Sequence, residues 1–518
     1  MKLQARQADI VTSGPIALLN SNDCLKLGVG ENDRIRVTGE DSAVCAVIIT
    51  DRYIPEGLIA LTEQTMNKCG AKDREDVEVA YSPMPESVRS IRSKINGGTL
   101  TKKEIDAIVS DIMQGNLSEM EIIAFVSAFN VNNSDLTEIA YLTRSMAATG
   151  KMVDLGVKPV FDFHSLGGVP GNKITPIVVS IVASEGLVIP KLSSRAVSSA
   201  CGTSDYVDTF CDVEMDTGKL IDTISECKGV FACGNKDYAP VGSLIIKAEN
   251  PMGIDPRPMM MASIMSKKVV IGTTHLLIDI PMGEGSKIPD VKSARQFAKD
   301  LIDLGSILGM HVECAVSCAD QPIGRMIGPV LEAKECIGIL EGHGGDPSVV
   351  DKACGMAGII LEMAGEKDGY AKAVEILRSG RAHEKFLEIV GAQNGSPDLK
   401  STDLLPGQFV KDIHAKRSGY VQYVDNACMV AIAKGAGAPK DIGAGIELLH
   451  KRGDHVEEGE VLFRIYADNQ SKLDRAIESA RSRRPMLVKD AEVKAEKDMI
   501  LERIPSKEML DLIRFRNL

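Results

Sequence analysis

The sequence predicts a multidomain α/β protein: a small N-terminal β barrel-like domain, a helical α domain, a large α/β domain with a mixed, mainly parallel sheet, and a final segment with hairpin turns. Three observations predict it. Residues 1–86 carry short alternating apolar runs, residues 87–155 switch to helical spacing, and residues 156–409 alternate strand-like runs with helical ones, the pattern of βαβ units. At roughly 150 residues per domain, a chain of 518 residues has room for three or so such bodies.

In the first segment the runs fall at 35–37, 43–49, 58–61 and 77–80, separated by Gly, Asp and Asn turns. No titratable constellation lies there, so the expected role is docking or oligomerisation, and Pro83-Met84-Pro85 reads as the exit linker. Helices follow. Thr101 with Glu104, and Ser118 with Glu121, form capping-box patterns ahead of apolar residues at helical spacing. Their Ile, Met and Phe stripe reads as core.

Composition excludes several function classes. A net charge of −12 argues against a nucleic-acid surface, although a local basic site would still serve a small anion. The twelve cysteines are scattered without C-x-x-C pairs, so reduced core thiols are expected rather than disulfides or zinc. No metal cluster and no cofactor motif is visible. The start, M-K-L-Q-A-R-Q-A-D-I, lacks an apolar signal region, and no run approaches the roughly 18 apolar residues of a membrane span. A cytoplasmic, soluble protein is the expectation.

The most informative stretch is 161–208. It opens with F-D-F-H-S-L-G-G-V-P-G-N-K and closes with K-L-S-S-R-A-V-S-S-A-C-G-T-S-D. Residues 159–163 read as a strand and 174–183 as a helix, joined by a turn holding Gly167, Gly168 and Gly171. Such a turn lets backbone approach a ligand, and the helix start offers free N–H groups to an anion. A second strand, 187–192, leads into a loop with Ser193, Ser194, Arg195, Ser198, Ser199 and Thr203, where hydroxyls around a guanidinium suit phosphate oxygens. Two anion-binding loops at the carboxyl ends of neighbouring strands result, where open α/β sheets place ligands.

A further segment, G-I-D-P-R-P-M-M-M-A-S-I-M-S-K-K (253–268), puts Asp255 at a helix entry and Ser263 and Lys267 four residues apart on one helical face. Read from residues alone, it is also consistent with an N-cap and an amphipathic helix ending in solvated lysines. Near the end, K-R-G-D-H-V-E-E-G-E-V-L-F (451–463) resembles the hairpins of biotinyl- or lipoyl-type barrels, but no turn carries a lysine for a prosthetic group.

The pair H-S-x-G-G-V and S-x-R followed by G-T-x-D resembles the thymidine phosphorylase, or type II nucleoside phosphorylase, family. The forms G-G-V-P-G-N-K and S-S-R-A-V-S-S are similar to its archaeal branch that acts on AMP. That resemblance implies phosphorolysis of AMP to adenine and ribose 1,5-bisphosphate, with CMP and UMP as candidate further substrates, in a homo-oligomer. It implies a helical domain completed by a segment near 240–270, and a C-terminal α+β domain over 410–518. By family position Asp255 donates a proton to the base and Ser263 hydrogen-bonds it. The attacking phosphate is expected near His164, Ser165, Thr175, Ser193 and Thr203. The 5′-phosphate is expected against Gly168 and the loop Ser194, Arg195, Ala196, Val197, Ser198, Ser199, with Lys287 assisting. Arg195 would neutralise charge during attack.

The chain departs from the family in two places. Many pyrimidine enzymes read K-H-S where this chain has Phe163-His164-Ser165, so a lysine credited with phosphate binding is missing; Lys173 and Lys191 are the candidates to replace it. An arginine that grips the pyrimidine carbonyl also has no clear counterpart. A pyrimidine nucleoside phosphorylase is the alternative enzyme, an anthranilate phosphoribosyltransferase type shares the α plus α/β plan, and a non-catalytic nucleotide binder is the third reading.

Overall fold

The structure, a computed structural model, describes residues 1–12, 14–132, 134–196, 199–234, 237–249 and 256–506. The chain divides into two compact units, residues 1–149 with 240–260, and residues 150–239 with 261–518.

In the first unit, β1 (Lys2–Ala8), β2 (Ile16–Leu19), β3 (Arg34–Thr38), β4 (Ser42–Ile49), β5 (Leu58–Thr62) and β6 (Asp76–Tyr81) close a barrel in the order β1-β5-β2-β4-β3-β6. Alternation explains its core: Leu3 and Ala5, Ile35 and Val37, Val77 and Val79 point inward, as the period of two requires. Two helices interrupt the strands, Ser21–Leu27 and Glu63–Cys69. They are too short for a helical period to show in sequence. Local chemistry makes them: Asn20 and Thr62 cap the starts, and Gly28 and Gly70 close the ends in left-handed conformation.

Helices Ser87–Ile95, Lys102–Gln114, Glu119–Val131, Leu136–Ala148 and Pro240–Glu249 also belong to this unit. Both capping boxes form, each with its Glu accepting from the N-cap backbone (Thr101 N to Glu104 at 2.8 Å, Ser118 N to Glu121 at 2.7 Å). Among the apolar side chains Lys94 and Glu138 are buried together, with Lys94 Nζ 2.7 Å from the carboxylate, which also accepts from Leu100 N.

The second unit holds β7 (Phe161–Ser165), β8 (Ile189–Ser193), β9 (Gly229–Cys233), β10 (His275–Met282), β11 (His311–Cys318) and β12 (Met326–Ile327). It continues with β13 (Phe409–His414), β14 (Gly419–Val424), β15 (Gly445–Leu448), β16 (His455–Val456), β17 (Val461–Ala467), β18 (Met486–Lys489) and β19 (Ile500–Ile504). The central sheet runs β19-β11-β10-β7, with β7, β10 and β11 parallel and β19 antiparallel. Strands β8 and β9 pair in parallel, and a bridge between Val160 and Val188 sets β8 beside the start of β7. The sheet is therefore mixed and mainly parallel, as the sequence predicts. Helices such as Thr175–Ser184 and Pro347–Met363 fill the core against it.

The last part builds two antiparallel sheets, β12-β15-β17-β13 and β16-β14-β18, packed with helices Asn426–Ala436 and Gln470–Arg483. Two strands near the end, β18 and β19, were not legible. The sequence beyond Ser482 carries no readable signal, yet β19 pairs with β11 in the central sheet through Ala315 and Arg503. Its I-L-E-R-I run is short and partly charged, as edge strands tend to be.

Replacing Glu138 by Gln leaves the Lys94 ammonium buried without a counter-charge, which costs about 3–5 kcal/mol for pairs of this kind. The urea midpoint of the transition that involves the helical unit should fall accordingly. A midpoint equal to that of the wild type contradicts the assignment.

Candidate active site at the ends of the parallel strands

The first loop leaves β7 at Ser165 and reaches the helix Thr175–Ser184 through the glycine turn. Gly171 has φ +76°, and a Cβ there would lie 2.3 Å from Ile323 O, so only glycine fits. Gly168, at φ +107°, has the Lys287 side chain across it, with its Cγ 3.5 Å from where a Cβ would be. Two candidate 5′-phosphate residues distant in sequence are thus neighbours. Lys173 anchors the turn from below: its buried ammonium donates to Ile323 O at 3.0 Å and to Glu335 at 2.7 Å. Ser165 Oγ donates to Asp279 at 2.6 Å, and Asp279, fully buried, is paired with Lys352 at 2.8 Å.

The second loop follows β8. Asp205 ties it into a turn by accepting from Ala196 N at 2.7 Å and Gly202 N at 2.9 Å. Ser193 Oγ shares a 2.8 Å hydrogen bond with Ser204 and lies 3.3 Å from Ala232 O, while Ser199 Oγ donates to Cys201 O at 2.9 Å. Thr203 starts a single short helical turn, and Thr175 is buried at the start of its own helix with Tyr206 against it. Val197, Ser198 and the candidate proton donor Asp255 lie outside the described residues. Ser263 is partly exposed on the helix Arg257–Val270, and its carbonyl faces Lys267 Nζ at 3.3 Å.

Arg195 departs from expectation. Its guanidinium donates to Asp208 at 2.9 Å and Glu214 at 3.4 Å and stands 3.6 Å from Asp205. Three carboxylates already surround it, so in this conformation it fastens the loop rather than presenting a free charge to phosphate.

The positive charge is found one layer deeper. Lys268, on the helix Arg257–Val270, is fully buried and bonded to the equally buried Asp162 of β7 at 2.6 Å. Its neighbour Lys267 crosses Gly234 at the end of β9, where a Cβ would meet Lys267 Cδ at 3.2 Å. Lys191, in β8, reaches across to β7 to bond Phe163 O and place its ammonium 4.3 Å from the centre of the Phe163 ring. Burial, and then repulsion from Lys268 and Lys267, bring the Lys191 pKa down to about 7, with Asp162 opposing. Burial, with repulsion from Lys268, brings Lys267 down to about 8. His164 is pushed well below its ordinary value by burial of its ring and by Lys191, Lys268, Lys267 and Lys287. Its Nδ1 is buried without a hydrogen-bond partner among the described residues.

Sequence motifs gave no role to Asp162, Lys268 or Asp279, and named Lys191 only as a candidate. A signal was present for Asp279 and Lys191, each a lone charge inside an apolar run, L-L-I-D-I and I-P-K-L. Charges are rarely fully buried unless paired.

Fold and site together define a glycosyl transferase family enzyme. Residues 88–150 match that family's helical bundle domain and residues 157–383 its a/b domain, while residues 420–486 match the pyrimidine nucleoside phosphorylase C-terminal domain. The anthranilate phosphoribosyltransferase of Thermus thermophilus shares the fold with a TM-score of 0.50 at 17% identity, over 59% of this chain and 99% of that one. The chain is 41% identical to the AMP phosphorylase of Methanococcoides burtonii over 98% of its own length and 99% of the relative's. It is also 41% identical to that of Thermococcus kodakarensis, over 97% and 99%, and 43% identical to AMP phosphorylase 1 of Archaeoglobus fulgidus, over 91% and 94%. The chain belongs to the AMP phosphorylase family, and it is a pentosyltransferase.

The lowered lysines set a pH dependence. A lysine whose pKa falls on folding, here from 10.5 to about 7, binds fewer protons folded than unfolded between those values, so its contribution to stability rises with pH across that window. A bound anion raises the folded pKa and reverses the loss of protons. The melting-temperature gain from millimolar sulfate, against sodium chloride at equal ionic strength, should therefore be larger at pH 7 than at pH 8.5. Equal gains contradict the charge assignment.

Proposed function

We propose that the protein cleaves AMP with inorganic phosphate, giving adenine and ribose 1,5-bisphosphate. The observation that carries this reading is the near-full-length identity of about 40% to proteins named AMP phosphorylase from several organisms. The site supports it with cations in two settings: the exposed Lys287 across Gly168, and the buried lysines between β7, β8 and the helix Arg257–Val270.

In the reaction a phosphate oxygen bonds to C1′ of the ribose as the bond from C1′ to the adenine nitrogen breaks. The bond's electron pair leaves with the base, which takes a proton. Asp255 is the proton donor by sequence position, and Ser263 the hydrogen-bonding partner of the base. The 5′-phosphate lies against Gly168, Lys287 and the loop from Ser194 to Ser199, and the attacking phosphate near His164, Ser165, Thr175, Ser193 and Thr203. Holding the reactants together removes the entropy of their encounter, which contributes on the order of 7–11 kcal/mol in well-oriented systems. The transition state gathers positive charge on the sugar, and fixed neighbouring anions, the phosphate among them, stabilise it. CMP and UMP are further candidate substrates, and the assembly is a homo-oligomer of the cytoplasm.

Initial rates of base release with phosphate should be substantial for AMP and at least tenfold lower for adenosine and uridine. Release from uridine but not AMP would replace this reading with a pyrimidine nucleoside phosphorylase. Asp255→Asn should lower kcat by about 10²-fold or more, the range for lost general acid catalysis, with AMP binding changed little; equal losses in both count against its role. Ser199→Ala should penalise AMP more than adenosine, and an identical penalty removes the 5′-phosphate assignment.

A further inference from the structure

We infer that Ser165, aimed by Asp279, accepts a hydrogen bond from the 2′-hydroxyl of the ribose and so selects ribonucleotides over 2′-deoxyribonucleotides. The inference rests on the phosphorolysis reading and adds to it a means of recognising the sugar. Its starting point is a carboxylate that the motifs leave without a role. Asp279 lies fully buried in β10, the strand between β7 and β11, in register with Ser165. One of its oxygens accepts from Ser165 Oγ at 2.6 Å and has the Lys352 ammonium 2.8 Å away. The other accepts from Ser317 Oγ of β11, and the Asp279 carbonyl accepts from Leu166 N at 3.0 Å. Ser317 and Lys352 are fully buried too. Donors from β7, β11 and the helix Pro347–Met363 thus hold the carboxylate in one orientation.

A serine hydroxyl has a single hydrogen and two lone pairs, and a carboxylate has no hydrogen to give back. With its hydrogen committed to Asp279, the half-buried Ser165 Oγ offers only lone pairs to a ligand. It therefore takes a donor there, not the bare oxygen of an anion. That departs from the use expected of a serine beside the attacking phosphate.

The stereochemistry of the reaction says which donor. Phosphate displaces the base from the opposite face of the ribose, and in a β-ribonucleotide that face also carries the 2′- and 3′-hydroxyls. The 2′-hydroxyl, on the carbon next to C1′, borders the attacking phosphate, so a side chain beside the one is beside the other. A protonated oxygen of the phosphate is the competing donor. The site disfavours it: Lys191, Lys268, Lys267 and Lys287 all act on the neighbouring His164, and nearby cations favour the deprotonated form of an acid. The 2′-hydroxyl keeps its hydrogen in such a field.

Adenine release by the full chain, with phosphate, from AMP and from 2′-deoxy-AMP tests this. The readout is the ratio of the two kcat/KM values, in which losses of active protein cancel. Ser165→Ala should cut that ratio by about fivefold or more, the worth of one ordinary hydrogen bond. Ser165→Thr, which keeps the hydroxyl, should restore most of it. Asp279→Asn, whose amide can donate to Ser165 and free its hydrogen, should cut the ratio as well. An unchanged ratio in Ser165→Ala, or in a folded Asp279→Asn, overturns the inference. A preference lost against 3′-deoxy-AMP instead also overturns it, by moving the contact to the other hydroxyl. Should Asp279→Asn not fold, Ser165→Ala against Ser165→Thr decides. Calorimetric titration with the two nucleotides separates this inference from the reading beneath it. A wild type that releases no adenine, yet binds AMP in preference to 2′-deoxy-AMP by a margin that Ser165→Ala removes, sinks the phosphorolysis reading alone. Turnover of AMP with no preference that depends on Ser165 sinks the present inference alone.

Discussion

The constraint on which the site depends is an imbalance of buried charge. Asp162 lies fully buried in β7 with Lys268 against it, and two further lysines are packed nearby without carboxylates of their own among the described residues. Elsewhere in the chain buried lysines are matched, as Lys173 is by Glu335 and Lys352 by Asp279. Matching of that kind keeps desolvation within what a fold tolerates. Burial, together with repulsion from Lys268, lowers the pKa of both Lys191 and Lys267.

The fold delivers this imbalance with ordinary devices. Parallel pairing of β7 with β10, and the bridge that sets β8 beside β7, bring the carboxyl ends of separate strands together. Glycines at 168 and 171 let the first loop pass close to Lys287 and Ile323 where any Cβ would strain or clash. Asp205 knots the second loop through two backbone N–H groups, and Arg195 fastens it to Asp208 and Glu214. Asp279 holds Ser165 and is itself held by Lys352. Backbone placement and charge placement are thus set by different residues, which lets one be altered without the other.

Much of the architecture was legible because it rests on periodicity and caps. Four of the six barrel strands, β3 to β6, follow from alternation, and the two capping boxes mark helices that do begin at Lys102 and Glu119. The loops were legible through Gly168, Gly171 and the serine-rich run. The deeper cations were less so, because a lysine in I-P-K-L looks the same whether it is paired or not. Its partner is decided by strands 28 residues apart in the pair Lys191 and Phe163. Arg195 misled for the same reason: its guanidinium suits phosphate, but Asp208 and Glu214 lie where only the folded loop brings them. The short helices in the barrel and the β19 edge strand escaped because their signals are local caps in one case and a distant partner in the other. The Lys191 ammonium lies over the ring of Phe163, the position at which many pyrimidine enzymes carry a lysine.

The most direct measurement is a crystal structure of the protein with AMP and sulfate bound together. The account predicts two separate anions, one near His164, Ser165, Thr175 and Ser193 and the other, the nucleotide's own phosphate, against Gly168 and Lys287. A single anion pocket would contradict it.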